Sequence, residues 1–373
     1  MKIVHITNFY SARSGGIKTT MHELGSRYQK LGHEFIYVIP GTRYSVDMTA
    51  SGVQISLPSF PIPFSGGYRV IRSNRTVKRL LMVLRPNRVE VSDRLTLRGI
   101  GKWAHRRKIA TVVFSHESLA ALVGRFLKFD FFQKFVDWHN RRLATSFDWV
   151  ITTTEYASRE FEKIRTENLR RIPLGVDLEV FQPLRRDENL RRDLLENEEL
   201  LIVHCGRLSI EKDPEVSLRT LIELRNRGVK ARLVYIGMGP LVERLKRSAE
   251  KYPVTFLGYI LGPSKVATIL ASADVVIAPG PHETFCLAAL ESLACGTPVV
   301  ASSKSAVGEL LLNSEGLPTG RVCGDLIADW ANAVEDLAVQ EGLRSRCRKQ
   351  AERFSWNTTV KELLSTPKIG EAA

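Results

Sequence analysis

Cysteine is scarce in this sequence, and the few cysteines are scattered. Five occur among 373 residues, without regular spacing, at Cys205, Cys286, Cys295, Cys323 and Cys347. This usage argues against a disulfide framework and predicts reduced thiols in a cytoplasmic protein.

Long apolar runs are also missing, since none reaches the roughly 18–20 residues of a membrane-spanning helix. Met1–Thr7 has the pattern of a strand and not of a signal peptide.

Metal-binding patterns are lacking as well. The sequence contains no Asp-x-Asp pair and no close set of His and Cys with ligand spacing. We therefore expect no metal requirement. No recognised nucleic-acid-binding motif is present either, so we expect no nucleic-acid partner despite the formal net charge of +14.

Length and composition indicate two globular domains. A chain of 373 residues exceeds one ordinary hydrophobic core, and 44% hydrophobic with 25% charged residues is typical of folded proteins. Strand-like and helical segments alternate throughout, which predicts an α/β protein with parallel sheets and crossover helices. We place the junction near residue 180, between Arg171–Asp177 and the charged stretch Arg185–Glu199.

Basic residues are concentrated in the first part of the chain. Residues 1–150 contain 24 Lys and Arg against nine Asp and Glu, whereas residues 151–373 contain 30 against 31. Arg69–Leu84 has the period of an amphipathic basic helix, and Arg125–Trp138 interleaves basic and aromatic residues. Such segments suit an anionic membrane surface, so we expect peripheral association with the inner face of the plasma membrane. The alternative is two core helices with solvated charged faces.

Two carboxylates, Glu283 and Glu291, surround a predicted helix start. A strand-like run, Ala273–Ala278, leads into a loop with Gly and Pro, after which Thr284 is expected to cap a helix that Gly296 ends. A helix start suits a diphosphate, whereas carboxylates suit sugar hydroxyls. If one helix carried both residues, the two carboxylates would lie about 12 Å apart along it, which exceeds the separation of the acid/base pair in a glycosidase. The alternative is that Glu283 only interacts favourably with the helix dipole and that Glu291 lies on a solvent-exposed face of the helix.

Three further strand ends carry candidate functional groups. Leu200–Arg207 is a buried strand that ends in Gly-Arg, and Lys212 follows in the next loop, so both cations are candidates for binding a diphosphate. His116 closes another strand, where α/β folds place ligand groups. Gly15 and Gly16 form a turn before a helix, where backbone can approach a phosphate. The alternatives are that both cations lie on the surface without a function, that the histidine is structural, and that the two glycines form an ordinary turn.

The segment Pro281–Val300 resembles the Glu-x7-Glu signature of the retaining family-4 glycosyltransferases, and its flanks resemble the bacterial GDP-mannose-dependent alpha-mannosyltransferases that build glycolipids. Further matches follow in order from residue 1 to about 360. One departure is Cys286, where the family usually has Gly. The resemblance implies the GT-B fold, in which two Rossmann-like domains face each other across a cleft. It implies an acceptor-binding domain at 1–180, a donor-binding domain at 181–355, and a C-terminal helix at 356–373 that crosses back.

The resemblance also implies roles for individual residues. Arg207 and Lys212 would bind the donor diphosphate, Glu283 and His116 the transferred sugar, and Glu291 the ribose. Substrate-binding roles are further expected for Gly15, Gly16, Phe285, Cys286 and Leu287. No dedicated nucleophile is evident, and in the family the departing phosphate is thought to take the acceptor proton on the same face.

The predicted function is therefore transfer of a hexose, with mannose from GDP-mannose as the leading choice, to a lipid-linked or glycolipid acceptor. The first alternative is a UDP-sugar-dependent enzyme of the same fold that acts on diacylglycerol or a cell-envelope glycan. A nucleotide-sugar epimerase and a non-catalytic membrane-binding protein are two others. The base of the nucleotide is expected to be read by loops, with Val254–Gly258 as one candidate.

Overall fold

The structure is a computed structural model that describes residues 1–8, 10, 15–62, 68–116, 130–312 and 316–366. Its contacts divide the chain into two units. Unit 1 comprises Met1–Leu174 together with the C-terminal segment that starts at Trp356, and unit 2 comprises Gly175–Ser355. The sequence places the first domain boundary six residues later, after residue 180.

Unit 1 contains a mainly parallel sheet. Its strands are β1 (Lys2–Ile6), β2 (Glu34–Gly41), β3 (Ser45–Thr49), β4 (Gly52–Pro61), β5 (Arg69–Ile71), β6 (Arg88–Val91), β7 (Ala110–Phe114), β8 (Trp149–Thr152) and β9 (Leu169–Arg171). The order across the sheet is β3-β4-β2-β1-β6-β7-β8-β9, and β5 pairs with β4. Only β3 and β5 run antiparallel to their neighbour β4 among the described strands. The central strands are buried, as expected where helices cover both faces.

Helices connect these strands. They are α1 (Gly16–Lys30), α2 (Asn74–Leu84), α3 (Arg98–His105), α4 (Asp130–Ala144) and α5 (Glu155–Glu162). Side-chain caps fix two helix starts: Ser73 accepts from the Arg75 N–H at 3.1 Å, and Thr154 accepts from the Ala157 N–H at 3.2 Å. Val77 and Leu81 of α2 reach the core that lies against the sheet. These two caps define where α2 and α5 begin.

The predicted helix over Arg69–Leu84 is correct only from Asn74 onward. Arg69–Ile71 instead forms β5, which pairs with Ser59–Pro61. Arg72 places its guanidinium 4.9 Å from the ring centre of Phe60. Sheet pairing therefore overrides the helical period of the first residues. Of the second basic segment, residues 125–129 lie outside the described residues, and the helix α4 begins at Asp130.

Unit 2 contains a parallel sheet with the order β12-β11-β10-β13-β14-β15. Its strands are β10 (Leu200–Cys205), β11 (Ala231–Ile236), β12 (Val254–Gly258), β13 (Val275–Ala278), β14 (Val299–Ser302) and β15 (Gly320–Cys323). The chain adds β11 and β12 on one side of β10, and then returns to add β13 to β15 on the other. The boundary between β10 and β13 is therefore the topological switch point of the sheet.

Helices alternate with these strands, as the sequence predicts. They are α6 (Glu188–Leu195), α7 (Pro214–Asn226), α8 (Val242–Ala249), α9 (Pro263–Ser272), α10 (Leu287–Ala294), α11 (Val307–Leu310), α12 (Ile327–Ala338) and α13 (Leu343–Ala351), with 3₁₀ turns at Pro183–Arg185 and Ile210–Lys212. The last helix, α14 (Trp356–Leu364), belongs to unit 1, where it packs against α1. Within the described ranges, no helix combines the length and the apolarity needed to cross a bilayer.

Candidate active site

Two predicted site residues of unit 2 follow adjacent strands at the switch point of its sheet. Arg207 comes two residues after β10, and Glu283 comes five residues after β13. These strands pair in parallel, with Ile202 opposite Val275. Ligands of open parallel sheets bind beyond the carboxyl ends of the strands at such a point. The topology therefore places both residues where the fold offers a binding site.

The loop that carries Arg207 is fixed by close backbone contacts. The Leu208 N–H donates to the Met238 carbonyl at 3.1 Å, and the Leu208 carbonyl accepts from the Leu241 N–H at 3.0 Å. A methyl group at Gly239 would overlap the Leu208 carbonyl, and one at Gly237, which has a φ of +132°, would overlap the Gly206 carbonyl. Both positions thus require glycine for the loop to lie where it does.

Sequence reasoning missed these two glycines. The signal was present, because Gly237-Met-Gly239 directly follows the buried strand β11. A pair of glycines at that place indicates a close approach of backbone to backbone.

Lys212 and Glu283 form an ion pair. Lys212 ends the 3₁₀ turn Ile210–Lys212, and its Nζ donates to Oε1 of Glu283. The side chains are 34% and 14% exposed, respectively. Burial alone would lower the pKa of Lys212, but the neighbouring Glu283 carboxylate outweighs it, and the pKa lies above its usual value. Lys212 therefore carries a full positive charge in the loop that follows β10.

The backbone also holds Glu283 in position. Its carbonyl accepts from the Ala306 N–H at 2.8 Å. A methyl group at Gly280 would come within 3.2 Å of Cγ and Oε1 of Glu283. Gly280 therefore leaves the room that the carboxylate occupies, a requirement that sequence reasoning did not identify.

The helix after Glu283 begins later than predicted. It starts at Leu287, and its N-cap is Cys286, not Thr284. The predicted spacing of about 12 Å between Glu283 and Glu291 assumed one helix for both, but only Glu291 lies on α10. The predicted end is correct, because Gly296 has a φ of +77° and its N–H donates to the Leu293 carbonyl at 2.9 Å.

Cys286 adopts a backbone conformation that favours glycine. Its φ and ψ are 69° and 84°, in the left-handed region. Burial, followed by the nearby Glu283 carboxylate, raises the pKa of its thiol to about 12. The thiol is therefore protonated at neutral pH. The left-handed backbone explains why glycine is usual at this position in the resembled family. In this chain a cysteine side chain occupies the position.

The other predicted residues of this segment differ in their surroundings. Phe285 is only 3% exposed and packs edge-on against Phe354, with ring centres 6.3 Å apart. Leu287 opens α10 and is half-buried. Burial, and after it the negative charge of Glu291, raises the pKa of the Cys205 thiol. Phe285 thus anchors the segment through its side chain, whereas Glu291 acts on its surroundings through its charge.

In unit 1, Gly15 and Gly16 stand at the start of α1. Gly15 is its N-cap with a φ of −83°, so neither a left-handed backbone nor a turn requires glycine here. A methyl group at either position would meet none of the described atoms within 4 Å. Residues 11–14, which precede this pair, lie outside the described residues. The substrate-binding role of the pair stays a prediction.

His116 follows β7, at the carboxyl edge of the sheet in unit 1. Its Nε2 lies 2.9 Å from Oγ of Ser92, and its ring stacks on Phe114 with centres 5.5 Å apart. Burial and then the nearby His5 lower the pKa of His116 to about 3. The ring is therefore neutral at physiological pH and acts through hydrogen bonds, not as a charge.

Potential metal ligands do not gather in the described parts of either unit, where no three His, Cys, Asp or Glu side chains could hold an ion together.

Comparison with known proteins defines the family. The profile described as "Glycosyltransferase Family 4" matches residues 14–180, and that described as "Glycosyl transferases group 1" matches residues 186–354. The chain is 44% identical over 370 residues to the GDP-mannose-dependent alpha-(1-6)-phosphatidylinositol dimannoside mannosyltransferase of Mycobacterium tuberculosis, with 98% of this chain and 96% of the relative covered. The chain therefore belongs to glycosyltransferase family 4 and is a glycosyltransferase.

Other similarities are more distant. The chain is 34% identical over 211 residues to the D-inositol 3-phosphate glycosyltransferase of Actinosynnema mirum, with 52% of this chain and 50% of that protein covered. Among solved structures, it resembles sucrose-phosphate synthase from Thermosynechococcus elongatus (TM-score 0.77, 19% identity, 97% of each chain). It also resembles HepE from Anabaena in complex with UDP and glucose (TM-score 0.75, 16% identity, 98% of this chain and 99% of that chain). These neighbours confirm the GT-B fold.

Proposed function

We propose that this glycosyltransferase moves mannose from GDP-mannose to a phosphatidylinositol-linked mannoside, with retention of configuration. The observation that carries the proposal is the 44% identity, over 98% of this chain, with an enzyme named for that donor and that class of acceptor. The arrangement in unit 2 supports it, because Lys212 pairs with Glu283 at the switch point of the sheet and Arg207 follows the strand β10 that borders this point. UDP-sugar transfer is the alternative raised by the sequence, and the name of this relative favours GDP-mannose over it.

The charges at the switch point suit departure of a nucleoside diphosphate. The reaction breaks the bond between the anomeric carbon and the β-phosphate oxygen, so negative charge develops on the diphosphate. Lys212 is fully charged, and Arg207 offers a planar set of N–H donors on a loop that two glycines hold in place. Fixed donors aimed at developing charge lower the barrier without reorganising. These two residues thus take the place that a metal ion holds in other transferases.

The carboxylates suit the hydroxyl-bearing parts of the donor. Glu283 binds Lys212 through Oε1, and a carboxylate has capacity for further hydrogen bonds, so a sugar hydroxyl can donate to it at the same time. Glu291 of α10 would accept a hydrogen bond from the ribose. His116 of unit 1 would contact the transferred sugar, while the departing phosphate would take the proton of the acceptor hydroxyl on the same face.

A donor and acceptor panel tests the proposal. Purified protein would be mixed with GDP- and UDP-sugars and with vesicles that contain phosphatidylinositol mannosides, and nucleotide release and glycolipid mass would be measured. We expect turnover with GDP-mannose and an α-linked product by NMR. Arg207→Ala and Glu283→Gln should each reduce turnover at least a hundredfold, whereas Arg244→Ala, on the surface of the same unit, should not. Turnover only with UDP-sugars, or unimpaired Arg207→Ala and Glu283→Gln variants, would contradict the proposal.

We also propose that unit 1 contacts the membrane that holds the acceptor. Phe135 and Trp138 of α4 are 47% and 46% exposed. The guanidinium of Arg142 lies 4.8 Å from the ring centre of Trp138, and that of Arg98 lies 6.0 Å from it. Exposed aromatic rings flanked by cations match the headgroup region of an anionic bilayer. The excess of Lys and Arg over Asp and Glu in residues 1–150 also supports contact of unit 1 with an anionic membrane.

Vesicle binding tests this surface. Arg142→Glu should weaken binding to vesicles with anionic lipid at least fivefold, since each nearby cation contributes about 1 kcal/mol. Lys246→Glu in unit 2 makes the same change of charge on an exposed side chain and should have little effect. Equal losses for both variants would indicate that only net charge matters and would contradict a defined surface.

A further inference from the structure

A buried histidine, His204, lies three positions before Arg207 on β10, the strand that borders the switch point of unit 2. It is only 2% exposed, and its ring packs against that of Tyr235, with centres 5.3 Å apart. Its Nδ1 lies 2.9 Å from Oγ of Ser217, a fully buried residue of α7. Burial of a polar ring costs free energy unless its nitrogens find partners. The second nitrogen, Nε2, therefore decides what this residue can do.

Nε2 of His204 borders an open space beside Gly206. A methyl group at Gly206 would lie 3.9 Å from this nitrogen and, apart from the chain neighbours of Gly206, would meet no other described atom within 4 Å. The backbone there is fixed, because the Gly206 N–H donates to the Ile236 carbonyl at 2.9 Å. Among the described residues, His204 bonds to Ser217 through Nδ1 and has no hydrogen-bond partner at Nε2. The space beside Gly206 can therefore receive a ligand atom that bonds to Nε2.

The hydrogen bond to Ser217 decides which nitrogen of His204 carries the proton. Burial, followed by the charge of Lys212, lowers the pKa of His204 to about 3, so the ring is neutral near pH 7 and has a single N–H. Within the described part of the chain, Nδ1 of His204 is the one hydrogen-bond partner of the Ser217 hydroxyl. If Nδ1 donated, the hydroxyl proton would be buried without an acceptor, which is costly. The hydroxyl therefore donates to Nδ1, and Nε2 carries the proton.

An N–H donor at this place suits a phosphate oxygen. The open space lies at the carboxyl end of β10, where open parallel sheets bind ligands, and Arg207 follows Gly206 directly. Phosphate oxygens are strong hydrogen-bond acceptors. Because His204 is neutral, it can add a directed hydrogen bond to the charges of Arg207 and Lys212 without adding repulsion between cations. The class of ligand that fits the donor and its surroundings is therefore a diphosphate.

We propose that His204 is a donor-binding residue whose Nε2–H bonds to an oxygen of the donor diphosphate beside Gly206, and that Ser217 is a positioning residue that keeps the proton on Nε2. This inference rests on the proposed function in assigning the diphosphate to this end of the sheet. It adds an uncharged, buried donor to the two cations that stabilise the leaving diphosphate. A fixed donor aimed at developing negative charge lowers the barrier.

NMR tests the tautomer and the contact without any reaction. The full chain, labelled with ¹⁵N-histidine, would be studied by long-range ¹H–¹⁵N correlation near pH 7, with the His204 signals assigned by their loss in His204→Phe. We expect a protonated Nε2 whose signal shifts when inorganic pyrophosphate or GDP is added and stays in place with mannose alone. A protonated Nδ1, or an Nε2 signal that no diphosphate moves, would overturn the inference.

Gly206→Ala tests the open space. The added methyl group has room in the protein, since it would lie 3.9 Å from Nε2, but it occupies the place proposed for the phosphate oxygen. We expect the Kd for GDP, measured by calorimetry, to rise at least tenfold with an unchanged Tm, and the GDP-dependent shift of Nε2 to be lost. Gly324→Ala is the matched control, because its methyl group would meet none of the described atoms within 4 Å. Equal Kd values for the two variants would contradict a ligand atom beside Gly206.

A pair of variants separates the hydrogen bond from packing. Ser217→Ala should lower kcat/KM for GDP-mannose about threefold, because the ring can then adopt either tautomer. His204→Phe, added to Ser217→Ala, keeps a ring against Tyr235 and leaves no hydroxyl unpaired, and it should lower kcat/KM at least tenfold. Tyr235→Phe, which removes the buried hydrogen bond to the Pro214 carbonyl, is the control and should stay within about twofold. A double variant that also stays within this range would show that His204 only packs.

The outcomes keep this inference apart from the proposed function. A wild type that turns over only UDP-sugars would refute the proposed function. The Nε2 signal and the Gly206→Ala variant would then be measured with UDP and would still decide the role of His204.

Discussion

The Nζ of Lys212 donates a hydrogen bond to Oε1 of Glu283, although 71 positions separate the two residues. This contact joins the loop after β10 to the loop after β13, the two strands that flank the switch point. It keeps the lysine charged and restrains both side chains. A charged group that is held in place in this way is what electrostatic catalysis by the proposed site requires.

Removal of the Lys212 charge should impair the reaction more than it impairs folding. We expect Lys212→Met to lower kcat about a hundredfold, because one fixed cation at the leaving diphosphate is lost. Lys212→Arg, which keeps the charge, should retain more activity. Lys246→Met controls for the loss of an exposed lysine in the same unit. Steady-state kinetics with GDP-mannose would decide, and equal kcat values for the Lys212→Met and Lys246→Met variants would refute the assignment.

Gly239→Ala should damage the site through the backbone. The added methyl group would overlap the Leu208 carbonyl, so the loop that carries Arg207 must shift. We expect kcat/KM for the donor to fall at least tenfold, since small displacements of catalytic groups are costly. Gly324→Ala in the same unit is the control, because a methyl group there would meet none of the described atoms within 4 Å. The idea fails if both variants show the same kinetics.

The sequence predicted the alternating α/β architecture and the strand ends that carry Arg207 and His116. These features follow from local patterns, because a buried apolar strand followed by a polar loop is visible in a short window. The start of α10 was predicted wrongly, because Thr284 has the chemistry of an N-cap. Burial of Phe285 and the bond from the Ala306 N–H to the Glu283 carbonyl fix that segment instead. Tertiary contacts of this kind have no local signature.

The buried polar contacts near His116 show the same limit of prediction from sequence. His5 lies 85 positions from Glu90 and 87 from Ser92, and His116 lies 24 from Ser92. The parallel registers of β1 with β6 and of β6 with β7 bring these residues together. His116 could be selected because it follows a strand, whereas its contact with Ser92 could be identified only from the order of the strands in the sheet.

Cys286→Gly should stabilise unit 2. A side chain in the left-handed region costs about 1 kcal/mol, and glycine removes this cost. We expect the urea midpoint for unfolding of this unit to rise, as monitored by circular dichroism. Cys323→Gly is the matched control: Cys323 is a buried residue of β15 without a positive φ, so its loss should lower the midpoint. A lower midpoint for Cys286→Gly would show that packing of the thiol outweighs backbone strain.

Alkylation of Cys286 should depend on pH in a characteristic way. Its pKa of about 12 means that the thiolate fraction, and with it the rate of carbamidomethylation, should rise about tenfold per unit between pH 7 and 9.5. A free thiol such as glutathione should instead level off near its pKa, which is close to the usual value for cysteine of about 8.5. Lys212→Met should slow the reaction further, because the lysine charge lowers the pKa of this thiol. Rates from peptide mass spectrometry that level off below pH 9 would contradict a buried thiol beside Glu283.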